Sequence, residues 1–382
     1  MPDSPAPSAW TAAHVAAIAT DAAHEIPVIT AADVIPVLPG VDLWDLWPVQ
    51  LVDGSTADFD GWTLWNILSA PLLPDPDARH DIARILLVMQ KGDEWRNCGP
   101  LMPDGHAPGS REWAGSTLYD PATGKLSLFF TASGRRGEAQ RSFEQRLFKT
   151  NGTLHIANGL ACVEHWDTPV EIIIADDVHY MRVGGTEGIP GFIKGFRDPA
   201  HFRDPHDGQD YIAFTGSLKH ASSDWNGVIG IARAKGPGHD RWAILPPLVS
   251  ADGVNNELER PLLIQRDGLY YLFWSTQRKV FAAHGPAGPT GLYGMVASSV
   301  LGPYEPLNGT GLVAACPDAE PFQCYSWWVD AQLQCWGFTD LWGLKGQPVA
   351  DDPAFRRQHF GGTPAPVFTL ELDGKAAHIK AR

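Results

Sequence analysis

The sequence is poor in cysteine and has no long apolar run. Its five cysteines, at positions 98, 162, 316, 324 and 335, are scattered and form no CxxC pair. This excludes a dense disulfide framework and argues against a zinc site, although one disulfide could form within the Cys316–Cys335 region. No stretch reaches the ~18 consecutive apolar residues of a membrane-spanning helix. We therefore expect no membrane partner.

Basic residues are also scarce. The 382 residues include 29 Lys+Arg against 44 Asp+Glu, a formal net charge of -15. Such a surface repels the phosphate backbone of nucleic acid, so we expect no nucleic-acid partner. The N-terminal stretch lacks the basic residues and uninterrupted apolar core of a signal peptide. The sequence leaves the cellular location and the oligomeric state open.

Aromatic residues and short strand-like segments are abundant. The chain has 15 Trp and 16 Phe, which favour strands; we expect most to be core and a few to line a pocket. Short β-branched or aromatic runs bounded by turn residues begin at Lys125, Val170, Asp210, Val228 and Gly268.

Helical patterns are few. Residues 9–19 could form one helix, and the segment from Asp77 could be a helix or a buried strand. The simplest interpretation is one all-β domain over 26–382, a propeller or a large sandwich, on which a lead with a short helix over 1–25 packs.

Three acidic segments are flanked by aromatic residues or arginine. Asp45 lies between Trp44 and Trp47 in VDLWDLWPVQ. An acid in such an apolar frame is costly unless it is satisfied or used, although a surface carboxylate in a turn is the simpler interpretation. Asp198 follows Arg197 in GFRDPAHF, where a structural ion pair would also fit.

The third segment, GVNNELERPLL, carries Glu257, Glu259 and Arg260. Side chains two positions apart on an extended strand point to the same face. Two like charges there would raise one pKa, as a general acid at neutral pH requires. The alternative is one exposed carboxylate and one paired with arginine.

Taken together, these strings resemble glycoside hydrolase family 68, the levansucrases, inulosucrases and bacterial β-fructofuranosidases. The resemblance runs from about Trp10 to the GGTPAPVFTLEL stretch that begins at Gly361. It implies a five-bladed β-propeller with a central funnel-shaped active site. The motifs that carry it are WDLWP at 44–48, REWAGS at 111–116, FRDP at 196–199, ELERP at 257–261, GPYEPLNGTGLV from Gly302 and QCYSWW from Gln323.

The resemblance also implies a function: retaining transfer of the fructosyl unit of sucrose to water and to sugar acceptors. Asp45 would be the nucleophile, Asp198 the transition-state stabiliser and Glu259 the general acid/base, with no metal or organic cofactor. Sucrose and fructo-oligosaccharides would be the substrates. The sugar subsites would be formed by Trp44, Trp113, Arg197, Glu257, Arg260, Gln277 and Tyr325.

Four positions depart from the family pattern. Ala114 replaces a serine that bonds the nucleophile, and Thr215 stands where a supporting glutamate is usual. Gln277 replaces the Arg or His of polymer-forming relatives, which predicts hydrolysis and short fructo-oligosaccharides. Asn256 replaces an aspartate that binds calcium in some relatives, so we expect no calcium.

Three alternatives stay open at this point. One is a polymer-forming levansucrase, and another is a different furanosidase on a five-bladed propeller. The third is a carbohydrate-binding propeller without catalysis, which Ala114 and Thr215 would favour and which the set of Asp45, Asp198 and Glu259 argues against.

Overall fold

The computed structural model describes residues 6–184, 189, 191–236 and 238–381, and nearly all regular structure in them is β. The helices are α1 (Ala12–Ala16) and α2 (Pro353–His359), and 3-10 turns cover Pro76–Asp81, Arg278–Val280 and Leu307–Gly309. The strands are β1 (Ser8–Ala9), β2 (Val41–Gln50), β3 (Asp58–Phe59), β4 (Trp62–Pro71), β5 (Arg84–Lys91), β6 (Glu94–Pro100), β7 (Arg111–Asp120), β8 (Lys125–Ser133), β9 (Gln145–Ala157), β10 (Leu160–Glu164), β11 (Val170–Ile173), β12 (Phe196–Arg203), β13 (Asp210–Ser217), β14 (Gly227–Ala234), β15 (Trp242–Ser250), β16 (Glu259–Arg266), β17 (Leu269–Thr276), β18 (Gly291–Ala297), β19 (Glu305–Pro306), β20 (Leu312–Ala315), β21 (Cys324–Val329), β22 (Gln334–Leu341), β23 (Phe360–Pro364), β24 (Phe368–Asp373) and β25 (Ala376–Ile379).

These strands form five successive antiparallel units. The units begin at β2, β7, β12, β16 and β21, and the first two join through a short parallel contact between β2 and β7. Each of these five first strands contacts the first strand of the next unit, and β21 contacts β2. The ring closes, so the first strands surround a common axis as in a five-bladed propeller. The all-β fold class is confirmed.

Each of the five segments predicted as strands contains a strand, and four of these strands are buried over nearly their whole length. The segment from Lys125 is β8, and those from Val170, Asp210, Val228 and Gly268 lie on β11, β13, β14 and β17. The ambiguous segment near Asp77 divides into a 3-10 turn followed by strand β5. Most tryptophans are buried between units, as expected for aromatic core residues.

The N-terminal segment lies against the third and fourth units. Strand β1 pairs in parallel with β15 and takes up the start of the stretch predicted to be helical. Helix α1 is therefore shorter than predicted, at five residues, and Thr11 caps its N-terminus. The Trp10 ring packs against the rings of Trp274, Phe281 and Tyr293. The division of the chain at residue 25 stays a prediction.

The disulfide considered for the Cys316–Cys335 region does not form. All five cysteines are free, and the Sγ atoms of Cys316 and Cys324 lie 3.7 Å apart. That separation is well beyond the ~2.05 Å of a disulfide bond. The Cys316 thiol instead points at the carbonyl oxygen of Cys324, at 3.3 Å. Among the described residues, no helix is long and apolar enough to cross a membrane.

Candidate active site

A cavity of about 980 Å³ opens at the centre of the ring. All five first strands contribute side chains to it, and the pairing of each with its second strand is irregular at that point. A β-bulge bends a strand and re-aims its side chains. The irregularities therefore direct polar side chains toward the cavity, where regular pairing would place apolar ones. The residues on the first strands that line it include Asp45, Trp113, Asp198, Glu259 and Tyr325.

The backbone is strained at four of these five irregularities. Asp45, Asp198, Arg260 and Ser326 have φ values of 44°, 61°, 49° and 63°. Side chains other than glycine disfavour this left-handed region, and such strain concentrates at functional sites because the surrounding fold must maintain it. The propeller therefore holds these four residues in conformations that they would not adopt alone.

Asp45 is a half-buried carboxyl group on β2 that residues of other strands stabilise. Burial raises its pKa, while the Arg260 guanidinium and a hydrogen bond from the Ser326 hydroxyl lower it. The same guanidinium donates to the carbonyl oxygen of Leu46 at 2.7 Å and to the Ser326 hydroxyl at 2.9 Å. Arg260 is thereby fixed beside Asp45 and favours its ionised form.

Asp198 on β12 is also held by polar groups from neighbouring strands. Its backbone N–H donates to the Thr131 hydroxyl at 2.9 Å, and its Oδ2 accepts from the backbone N–H of Arg260 at 3.2 Å. The Thr215 hydroxyl lies 3.1 Å from the same oxygen. Burial raises the pKa of Asp198 to about 6, although Arg197 opposes the shift. At neutral pH the group is mainly ionised.

Glu257 and Glu259 share one cation. Glu257 lies in the loop before β16, which begins at Glu259, so the two are not on one extended strand as the sequence predicted. Arg197 donates through Nη2 to Oε1 of Glu259 at 2.8 Å and to Oε1 of Glu257. The Tyr325 hydroxyl donates to the other carboxylate oxygen of Glu259. Burial, followed by the Glu259 charge, raises the pKa of Glu257 to about 7, so Glu257 retains a proton near neutrality.

The departures at Ala114 and Thr215 have visible structural consequences. Ala114 is buried and offers the site no hydroxyl, but Ser326 on β21 donates the hydrogen bond to Asp45. Thr215 contacts Asp198 and lies 3.0 Å from the carbonyl oxygen of Leu258, so it links β13 to the loop before β16. Asp45 therefore keeps a hydroxyl partner despite Ala114, and Asp198 has one in Thr215.

The two tryptophans assigned to sugar contacts line the cavity. Trp44 is buried, and the Arg79 guanidinium lies 5.4 Å from the centre of its ring. Trp113 is half-buried in the cavity wall. Its indole N–H is shielded from solvent and has no hydrogen-bond partner among the described residues.

Gln277 lies on the cavity wall, as the family resemblance predicted. Its neighbour Arg278 does not line the cavity. The Arg278 side chain is half-exposed and lies 3.9 Å from Asp318 outside the cavity. Lys279 returns to the cavity wall. The wall near Gln277 is therefore not neutral, which the sequence analysis did not anticipate.

Sequence analysis also missed cavity residues outside the motifs. Ser326 follows Tyr325 in the QCYSWW string, so its place in that motif could have indicated it. No sequence signal marked the others, because loops and second strands from different units bring them together. They are Arg79, His80, Phe143, Lys279 and Asp340.

The amide of Asn256, where calcium-binding relatives carry a carboxylate, is engaged on both sides. Its Oδ1 accepts from the backbone N–H of Gly191 at 2.6 Å, and its Nδ2 donates to the carbonyl oxygen of Asp224 at 2.8 Å. An amide N–H cannot ligate a cation, and calcium prefers several oxygen ligands. The absence of a calcium requirement stays a prediction.

Comparison with known proteins places the chain in a family. The family model of glycoside hydrolase family 68, described as Levansucrase/Invertase, matches residues 1–226 and 217–382. A levansucrase from Rahnella aquatilis is 30% identical, with 98% of this chain and 94% of the relative covered. A levansucrase from Zymomonas mobilis is 30% identical over 98% of this chain and 90% of its own.

Solved structures agree with this placement. The inulosucrase from Halalkalicoccus jeotgali bound to kestose matches with a TM-score of 0.89 and 34% identity, over 98% of this chain and 95% of that one. The levansucrase from Gluconacetobacter diazotrophicus, at 24% identity, shares the fold with a TM-score of 0.82 over 98% of this chain and 90% of that one. The chain belongs to glycoside hydrolase family 68, the levansucrase and invertase family.

Proposed function

We propose that this protein cleaves sucrose and transfers its fructosyl unit through a covalent ester on Asp45. The observation that carries the proposal is the convergence of Asp45, Asp198 and Glu259 from three different strands in one cavity. Relatives named levansucrase and a neighbour named inulosucrase and bound to kestose support sucrose as the donor. The charges at the centre of the cavity suit a neutral sugar, because Arg197 lies by Asp198, Glu257 and Glu259, and Arg260 lowers the pKa of Asp45.

In the first step a carboxylate oxygen of Asp45 attacks the anomeric carbon of the fructosyl unit. The bond from that carbon to the glucosyl oxygen breaks, and the oxygen takes a proton from Glu259. Glucose leaves, and the fructosyl unit remains as an ester of Asp45. Asp198 accepts hydrogen bonds from fructosyl hydroxyls and stabilises the positive charge that develops on the ring.

In the second step Glu259, now ionised, accepts a proton from water or from a sugar hydroxyl. The oxygen of that acceptor attacks the anomeric carbon, the ester bond breaks and the Asp45 carboxylate is restored. Two displacements at one carbon retain its configuration. The two steps consume no oxidant or reductant and regenerate both carboxyl groups.

Glu259 is placed to supply the proton of the first step. Burial, followed by the charge of Glu259, raises the pKa of the adjacent Glu257 to about 7, so Glu257 carries a proton near neutrality. Arg197 contacts both carboxyl groups, and the Tyr325 hydroxyl donates to Glu259. These contacts fix the Glu259 carboxyl group at the cavity wall, from which it serves as the acid.

The expected products are glucose, fructose and short fructo-oligosaccharides. Gln277 is neutral, so it holds an acceptor chain without charge-assisted hydrogen bonds, which are roughly twice as strong as neutral ones. Lys279 favours a second candidate, a levansucrase that builds polymer, because it places a cation two residues further along the same wall. Product length separates the two candidates.

Incubation with concentrated sucrose tests the proposal. We expect free glucose to equal total cleavage, free fructose to be lower by the fraction transferred, and chromatography to show short oligomers. A protein that bound sucrose without releasing glucose would be a carbohydrate-binding propeller. Abundant high-mass fructan would instead establish the polymer-forming candidate.

A further inference from the structure

Asp340 is a carboxyl group in the cavity wall to which the mechanism gives no role. It lies on β22, the second strand of the fifth unit, where the pairing with β23 is irregular between Thr339 and Leu341. Its backbone N–H donates to the carbonyl oxygen of Gln323 at 3.0 Å, which fixes the main chain. Among the described residues, its side chain has neither a hydrogen-bond nor an ion-pair partner. A carboxylate in that position is costly unless something else satisfies it.

Charged groups of both signs lie around Asp340 without forming an ion pair with it. Burial raises its pKa to about 6, the charges of Arg79 and Lys279 lower it, and those of Asp77 and Asp45 raise it. Neither cation forms an ion pair with it within 4.0 Å. The Lys279 side chain likewise makes no hydrogen bond or ion pair with any part of the chain that the structure describes. The wall thus presents an unused acceptor, the Asp340 carboxylate, and an unused donor, the Lys279 ammonium group. Their charges interact across a gap.

The gap lies beside the first strands. The groups assigned to the fructosyl ring are on those strands, at the axis of the ring. Asp340 is one strand further out, near enough to Asp45 for that charge to act on it, and Lys279 lies in the 3-10 turn after β17. A sugar is a suitable occupant because each hydroxyl both donates and accepts a hydrogen bond.

We propose that Asp340 binds the sugar on the far side of the scissile bond by accepting hydrogen bonds from its hydroxyls. During cleavage that sugar is the glucosyl unit of sucrose, and during transfer it is the acceptor. Lys279 donates to the same sugar from the opposite side. This inference rests on the proposed function and adds to it a residue that determines leaving-group and acceptor specificity.

The experiment compares Asp340→Ala and Asp340→Asn with wild type. Losing a hydrogen bond to a charged group costs roughly a factor of 10 to 100, so we expect kcat/KM for sucrose to fall about tenfold or more in Asp340→Ala. The fraction of fructosyl units transferred at high sucrose should fall as well. Asp340→Asn keeps one acceptor oxygen and should lose less. Asp318→Ala, which removes an exposed carboxylate outside the cavity, is the matched control.

Two further readouts separate sugar binding from a structural role. Competitive inhibition by fructose, which occupies the fructosyl site, should be unchanged in Asp340→Ala, and inhibition by glucose should weaken. The melting temperature should stay within the range of the control. If Asp340→Ala keeps wild-type kcat/KM and transfer fraction, or weakens fructose and glucose inhibition equally, the inference is wrong. A wild-type protein that released no glucose would refute the proposed function itself.

Discussion

At the residue scale, the guanidinium of Arg197 organises the acid side of the site. It lies between Glu257 and Glu259 and is itself buried, so the three groups form a dense charge cluster with little access to water. Removing the Glu257 carboxylate leaves Arg197 paired with Glu259, and removing the Glu259 carboxylate leaves it paired with Glu257. The two glutamates are therefore distinguishable by substitution, although they share a partner.

Glu259→Gln should lower the rate of glucose release from sucrose about 10²- to 10⁴-fold, the usual contribution of a general acid. Glu257→Gln should cost less, because Glu259 can still donate. The control is Glu371→Gln, an exposed glutamate on β24. The role assigned to Glu259 is wrong if its variant stays near wild-type activity or if Glu257→Gln is the more damaging change.

The pH dependence of kcat/KM follows from the same groups. Asp198, with its pKa raised to about 6, must be ionised, so activity should fall as pH drops through that value. Glu257 holds a proton below its raised pKa of about 7, and its ionisation adds a negative charge beside the acid Glu259, so activity should fall again as pH rises through about 7. We expect a bell-shaped profile on the slightly acid side of neutrality, measured by initial rates. A rate that is flat from strongly acid to alkaline pH would exclude this set of groups.

The residues in motifs could be predicted from the sequence, and the wall around them could not. All ten predicted site residues line the cavity. Nine of them lie in strings that resemble the family, and Gln277 was identified by its departure from the family pattern. Arg79 and Lys279 come from two 3-10 turns, and Asp340 comes from the second strand of the fifth unit. Their proximity depends on ring closure, which local patterns do not encode.

At the element scale, the bulges on the first strands matter more than the strands themselves. Composition identified strands such as β8 and β13, because each is a short run rich in β-branched or aromatic residues bounded by turn residues. It could not locate the bulges, since one extra residue in a strand leaves little trace in composition. The strained residues at those bulges, Asp45 and Asp198 among them, nonetheless line the cavity.

The N-terminal segment is the element with the clearest predicted contribution to stability. Trp10 is 1% exposed, packs on three aromatic rings and donates its indole N–H to the carbonyl oxygen of Thr310 at 2.8 Å. Trp10→Ala should lower the free energy of unfolding by ~3–5 kcal/mol, as truncation of a buried aromatic does. Chemical denaturation would measure the loss.

The control for this change is Trp62→Ala, a half-buried tryptophan whose ring stacks with Arg96 at 4.3 Å. It should cost clearly less. Equal losses in the two variants would contradict an anchoring role for Trp10, and the segment would then be only loosely attached to the propeller.

At the scale of the whole molecule, the site is built entirely from side chains that the ring brings together. The contact between β21 and β2 closes the ring and brings Ser326 beside Asp45. Composition predicted only an all-β fold; the five blades came from the family resemblance. Closure joins strands almost 300 residues apart, a separation at which sequence patterns carry no register information.

We predict that the whole molecule needs no metal ion, and this can be measured directly. The Asn256 amide is occupied by two backbone groups, and the proposed steps use only side chains. Exhaustive treatment with EDTA should leave both the melting temperature and the rate of sucrose cleavage unchanged. A loss of either that calcium restores would show that a cation supports the fold or the site.

The most direct test of the central claim is the rate of glucose release from sucrose by Asp45→Asn relative to wild type. The substitution removes the nucleophile and preserves its size, and Asp267→Asn, in an exposed turn, is the matched control. We predict that wild type and the control release glucose at similar rates and that Asp45→Asn loses at least ~10³-fold while melting as wild type does. Glucose release by Asp45→Asn within tenfold of wild type would contradict a covalent intermediate on Asp45.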